Sequence, residues 1–156
     1  AYSSKWHAHS VKNKKGVALE RIDPDAATQD AANWTSASET VGYGTPGYQN
    51  SQYKDASSGG ATGIEPPVWI EESGSYTVSY LLDRPGYSCR AFVFNTSGLR
   101  VADISNHELL GISGKITWRG VANNGSPLQT GVYIFYAEIY HPEGTVKRFK
   151  KAFLIR

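Results

Sequence analysis

The stretch Ser75-Tyr76-Thr77-Val78-Ser79-Tyr80-Leu81-Leu82 decides the fold. Tyr76, Val78, Tyr80 and Leu82 alternate with Ser75, Thr77 and Ser79. Successive side chains of a strand point to opposite faces, so a period of two predicts a strand buried on one side. Working outward, Arg84-Pro85-Gly86 turns the chain, and residues 89–95 predict a second strand. Asn95-Thr96-Ser97-Gly98 turns it again, and residues 99–104 and 112–118 predict a third and a fourth. A polar loop over 119–131 leads to residues 132–140, where Tyr133, Phe135, Ala137 and Ile139 share one face. His141-Pro142-Glu143-Gly144 reverses the chain into a last strand over 145–155. Short strands joined by turns, with no helix-period segment, predict an all-β sandwich of six to seven strands.

Composition agrees. The 156 residues include ten Tyr, five Phe and four Trp but no Met, and aromatic rings suit pleated, half-buried surfaces. Sixteen Gly and seven Pro supply the reversals. Net charge is +2, from 16 basic and 14 acidic residues, which argues against nucleic acid or an anionic membrane as the partner. The single cysteine, Cys89, cannot form an intramolecular disulfide, and its apolar surroundings predict a buried, inert thiol. No apolar run of about 18 residues occurs, so no membrane span is predicted. The chain starts with Ala rather than Met and shows no signal peptide, so it is expected to be a fragment of a longer protein.

Three regions follow from composition. Residues 1–53 are polar and turn-rich. Their best strand is Val17-Ala18-Leu19-Glu20-Arg21-Ile22, ended by Asp23-Pro24-Asp25, and a helical turn capped by Asp25 is expected over 25–32. Residues 54–66, rich in Ser, Gly and Ala, read as a flexible linker, and residues 67–156 carry the sandwich.

Two resemblances sit on either side of that linker. Gly16-Val17-Ala18-Leu19-Glu20-Arg21, Asn33-Trp34-Thr35-Ser36-Ala37 and Gly44-Thr45-Pro46-Gly47 with Asn50-Ser51 resemble the end of a bacterial lamin-tail domain over residues 12–53. The resemblance implies a truncated domain, because the earlier strands of that fold are absent. Residues 67–156 resemble the immunoglobulin-like C-terminal domain of the flagellar hook-cap protein. FlgD-like modules of this kind end many exported Bacteroidetes proteins, including gliding-motility-associated ones. The motif is Trp118-Arg119-Gly120, Asn123-Asn124-Gly125 and Thr130-Gly131-Val132-Tyr133, then Gly144-Thr145-Val146-Lys147-Arg148-Phe149-Lys150-Lys151. Arg119 stands where the family commonly has Asp.

The motif also reads without the family. Trp118 can seal one end of a sandwich, and Tyr133 can open a strand with its ring inward. Gly120, Gly125 and Gly131 would permit positive φ in the loop, and Asn124-Gly125 is a strong turn pair.

Other residues invite chemistry. His7 and His9 would share one strand face and could both reach a metal, but no third ligand lies nearby in sequence. Asp23, Asp25 and Asp30 miss calcium-loop spacing, and capping is the better reading. Glu71, Glu72 and Asp103 could be paired carboxylates only if the fold joined them. No nucleophile elbow, phosphate loop or dinucleotide fingerprint occurs. Lys147, Arg148, Lys150 and Lys151 form a basic stripe that could dock an anionic partner, or simply protect a terminal edge strand.

Together these readings predict a non-catalytic adhesion, anchoring or export-sorting module at the C-terminus of a larger protein. Its expected location is extracellular or in the cell envelope, and no cofactor is expected. The partner is expected to be a cell-envelope, secretion or glycan component, with strand exchange or dimerisation through the truncated N-terminal segment as a further expectation. The alternative is a carbohydrate- or nucleic-acid-binding accessory module, with Tyr43, Tyr48 and Tyr53 as stacking residues, attached to an upstream hydrolase or nuclease.

Overall fold

A computed structural model describes residues 2–54 and 60–156 of the chain. Ten strands form in order: β1 (Leu19–Arg21), β2 (Trp34–Ser36), β3 (Gly63–Ile64), β4 (Val68–Ile70), β5 (Ser75–Leu81), β6 (Ser88–Phe94), β7 (Arg100–Leu109), β8 (Ser113–Trp118), β9 (Gly131–Tyr140) and β10 (Val146–Ile155). The only helical pieces among the described residues are three 3-10 turns. The chain is therefore all-β, as the alternation predicts.

Strands β3 to β10 make the sandwich. In one sheet β5 lies between β8 and an edge formed by β3 and β4; the other runs β10-β9-β6-β7. Pro66-Pro67 splits the first edge. Ile64 pairs with Tyr80 and Val68 with Thr77, so four steps along the edge match three along β5 and the register slips by one. Counting that edge as one strand, the sandwich has seven. The fourth, β7, pairs with β6, whereas in a constant-type immunoglobulin domain it would join the first sheet. The cause is local: Asn95 and Leu99 close the β6–β7 turn through an Asn95 N–H bond to the Leu99 carbonyl (2.9 Å), which folds β7 back onto β6.

The inward rows meet in one core. It contains Val78, Tyr80 and Leu82 from β5 and the residue after it, Cys89, Ala91 and Val93 from β6, Ile116 from β8, Phe135, Ala137 and Ile139 from β9, and Phe153 and Ile155 from β10. Burying each large aliphatic side chain here contributes about 1.5–3 kcal/mol. Ile64 belongs to the same core and is 2% exposed, so the sandwich begins inside the stretch that composition reads as a linker. Residues 55–59 of that stretch lie outside the described residues.

The N-terminal segment has a different logic. β1 and β2 pair over only three residues each, too little to stand alone. Its centre is polar: Glu20 is 3% exposed and its carboxylate accepts from Thr45 Oγ1 (2.6 Å), Ser51 Oγ (2.7 Å) and the Gln52 N–H (3.1 Å). This hub gathers three loops around one side chain. The segment then docks on the sandwich. Gln52, fully buried, donates from Nε2 to the carbonyls of Ser36 and Leu110 (3.1 Å each). The Ile112 N–H donates to the Ser51 carbonyl (2.9 Å), and Thr40 Oγ1 meets the Tyr80 hydroxyl at 3.1 Å.

Candidate functional site

Trp118 closes β8 at one end of the sandwich. Its indole N–H donates to the Val121 carbonyl (3.0 Å), and its ring lies 5.6 Å from Tyr76 and 6.3 Å from Phe153. Tyr133 completes the aromatic group 6.2 Å from Phe153, with its hydroxyl donating to the Gln129 carbonyl (3.0 Å). Gly120 has φ +76°, and a Cβ there would come within 3.0 Å of the Tyr76 ring, so both conformation and space require glycine. Gly125 also has positive φ, in the turn that Asn124 caps by accepting the Ser126 N–H (3.0 Å). Gly131 departs from the sequence reading. It starts β9 opposite Ile155 in extended conformation, because the strand ladder already begins there. Asn123 ties this loop to β7, accepting the Asp103 N–H on its Oδ1 (2.8 Å). The motif residues thus act on each other and on the core.

The basic strand does not form one stripe. β10 is a sheet edge, and its residues alternate: Val146, Arg148, Lys150, Ala152 and Leu154 are exposed, while Lys147, Phe149, Lys151, Phe153 and Ile155 turn toward the other sheet. Lys147 reaches Asp83 (3.1 Å) and Thr62 (2.9 Å). The hydroxyl of Thr62 also bonds Asp83, and this bond together with Lys147 holds the Asp83 carboxyl well below the usual carboxylate range. Arg148 pairs with Glu138 on β9 (2.8 Å). Lys150 and Lys151 have no ion-pair partner among the described residues.

The remaining candidates disperse. His7 and His9 do not share a strand face, because Ser4–Trp6 forms a 3-10 turn and residues 7–10 are bends and turns. His7 Nδ1 bonds Ser36 Oγ (2.9 Å), and burial, with Lys14 nearby, lowers its pKa. Asp25 caps no helix over 25–32. Instead Asp30 caps the 3-10 turn Ala31–Asn33 by accepting the Ala32 N–H (3.0 Å), and Asp23 accepts the Asp25 N–H (2.8 Å). Asp103 pairs with Arg100 (2.6 Å), while Glu71 and Glu72 lie in the exposed turn before β5. Among the described residues no three His, Cys, Asp or Glu side chains converge on a metal-sized site. Cys89 is fully buried, and burial pushes its thiol up to about 12. Tyr48 is exposed, but Tyr43 and Tyr53 are half-buried. Burial, aided by Glu39, raises the Tyr43 hydroxyl to about 12.

What single-strand reading misses is the outer face of the four-stranded sheet. Ala91 and Val93 enter the core, so Phe92 and Phe94 point away from it. Cross-strand pairing sets Phe92 beside Tyr136 and Tyr136 beside Lys150. The Arg100 guanidinium lies 3.6 Å above the Phe92 ring, and Tyr136 lies parallel to that ring, 6.4 Å away. Next to them, Phe94, Asn95, Thr96, Gly98, Ile134, Tyr136 and Lys150 surround a cleft of about 540 Å³. The signal was present in the sequence: a period of two applied to Phe92 and Phe94 would have placed both rings outside.

No known protein family's sequence profile matches the chain, and no curated protein is similar to it. Among solved structures, FlgD from P. aeruginosa aligns over 55% of this chain and 65% of its own length, at 18% identity and a TM-score of 0.43. PorZ of Porphyromonas gingivalis, described as an essential bacterial surface component of the type IX secretion system, aligns over 67% of this chain and 13% of its own. Its identity is 16% and its TM-score 0.36. No helix among the described residues is long and apolar enough to cross a membrane.

Proposed function

We propose that the chain is a non-catalytic adhesion, anchoring or export-sorting module of a larger cell-envelope or secreted protein, with residues 12–53 as the end of a lamin-tail-like domain and 67–156 as a FlgD-like domain. One observation supports it most: Asp23, Asp30 and Asp103 are spent on turns, caps and ion pairs, while the outer sheet face sets half-buried Phe94 and Tyr136 beside the exposed Lys150, with Phe92 buried beneath Arg100. Such a face is suited to recognising a partner. The FlgD-like motif around Trp118 agrees with this role, since it shapes the scaffold.

The test is made in the source cells on the whole protein. Deleting residues 67–156 is expected to shift the protein away from the cell surface or the medium, measured by surface labelling and fractionation. An unchanged distribution overturns the attachment and sorting reading. Turnover of ester, glycoside or phosphodiester substrates by the purified chain would overturn the non-catalytic one.

A further inference from the structure

We propose that the outer face of the β10-β9-β6-β7 sheet binds an acidic polysaccharide, which rests on the attachment role above and names its ligand class. The floor of the cleft is apolar and aromatic, from Phe94, Ile134 and Tyr136. Sugar rings present C–H faces that pack on such rings, while their hydroxyls need polar groups at the rim. Asn95 and Thr96 stand there, while the Tyr136 hydroxyl donates to Glu138 Oε2 (3.4 Å). Asn95 Oδ1 is already engaged by the Ser97 and Leu99 N–H groups (3.0 and 2.9 Å), which fixes the rim loop before any ligand arrives.

Charge selects the ligand. Arg148 is neutralised by Glu138 and Arg100 by Asp103. Lys150 and Arg90 have no ion-pair partner among the described residues, and the Arg90 Nε is buried without an acceptor. These two cations stand on β10 and β6, two strand spacings across and one same-face step along, because Arg90 pairs with Glu138 and Lys150 with Tyr136; that puts them roughly 12 Å apart. Two separated cations with rings between them match a chain that carries one carboxylate every one or two sugars. A nucleic acid draws its affinity from many neutralised phosphates, and a chain of net charge +2 offers few.

The test measures binding of the full 156-residue chain to polygalacturonate by affinity electrophoresis and calorimetry, beside neutral dextran and oligo(dT). Polygalacturonate is expected to bind and dextran not to. Tyr136→Ala is expected to weaken binding roughly tenfold by removing the stacking ring. Lys150→Glu, at an exposed position that does not threaten folding, is expected to weaken it by a similar factor. Lys151→Glu, on the opposite row, should change it less than twofold. Absence of binding, indifference to Lys150→Glu, or tighter binding of oligo(dT) each overturns the proposal. If polygalacturonate binding fails while surface location still depends on residues 67–156, the glycan assignment falls and the attachment role survives; intact binding with indifferent location means the reverse.

Discussion

Gly111→Ala should separate the N-terminal segment from the sandwich. Gly111 follows Leu110 at the dock, where its φ is not positive, so alanine meets no intrinsic backbone penalty. A Cβ there would nevertheless push inside van der Waals contact with the Ser51 carbonyl oxygen, 3.2 Å from its carbon and 3.3 Å from the Ser51 Cβ. That carbonyl accepts the Ile112 N–H, and the neighbouring Leu110 carbonyl accepts from Gln52. Displacing Ser51 therefore strains two buried hydrogen bonds worth about 1 kcal/mol each. Overpacking adds about 1–3 kcal/mol. The sum, about 3–5 kcal/mol, corresponds in a domain of this size to a Tm lower by roughly 6–20 °C. Calorimetry measures the loss, and hydrogen exchange at the Ile112 amide locates it. Gly63→Ala is the control, since its Cβ would meet nothing nearer than 4.0 Å. A Gly111→Ala protein with the parental Tm and a still-protected Ile112 amide would refute this account of the dock.

Glu20→Gln keeps the size of the hub but turns an amide N–H₂ toward groups that donate to the carboxylate; urea unfolding should show a loss of about 1–3 kcal/mol. Cys89, with its native pKa raised from 9.0 to about 12, favours the protonated thiol on folding. Its contribution is complete below pH 9 and is lost as pH rises toward 12, so a Cys89→Ala variant should lose less stability than the parent over that window. In the native protein Cys89 should not react with a thiol reagent at pH 8, and should react fully in guanidinium. Asp83 has a depressed pKa, so its ion pair contributes above the ordinary value of 3.8 and fades as pH falls below it. Both partners are about one-third or more exposed, so Asp83→Asn should cost no more than about 1 kcal/mol at pH 7, and the difference in Tm should close at acid pH.

The sandwich was legible wherever alternation is clean. β5, β6, β8, β9 and β10 all fall within two residues of the stretches that sequence marks. β7 runs five residues further than its pattern, because Ser105-Asn106-His107 breaks the period: His107 has φ +62° and is the extra residue where Cys89 pairs with Glu108 and Arg90 with Asn106. β3 hides in a Gly-rich string, since pairing with β5 and not its own side-chain pattern makes it a strand. Val68, Trp69 and Ile70 are all exposed, so β4 shows no alternation either. The Glu20 hub joins positions 20, 45, 51 and 52, and no local spacing encodes such a convergence. The basic run of β10 lies on a sheet edge, as the edge-strand reading expects, and the structure divides it between two faces because consecutive residues of a strand face opposite ways.

The Pro66-Pro67 break also governs how molecules meet. A strand edge left open to solvent is a template on which another chain can lengthen the sheet. Here the two prolines present no N–H, and the one-residue slip puts β3 and β4 out of phase. An incoming strand that matches one half would mismatch the other, so sheet-to-sheet growth would stall after about three residues. Exposed Val68, Trp69 and Ile70 therefore lie on an edge that offers an incoming strand only a short matching run.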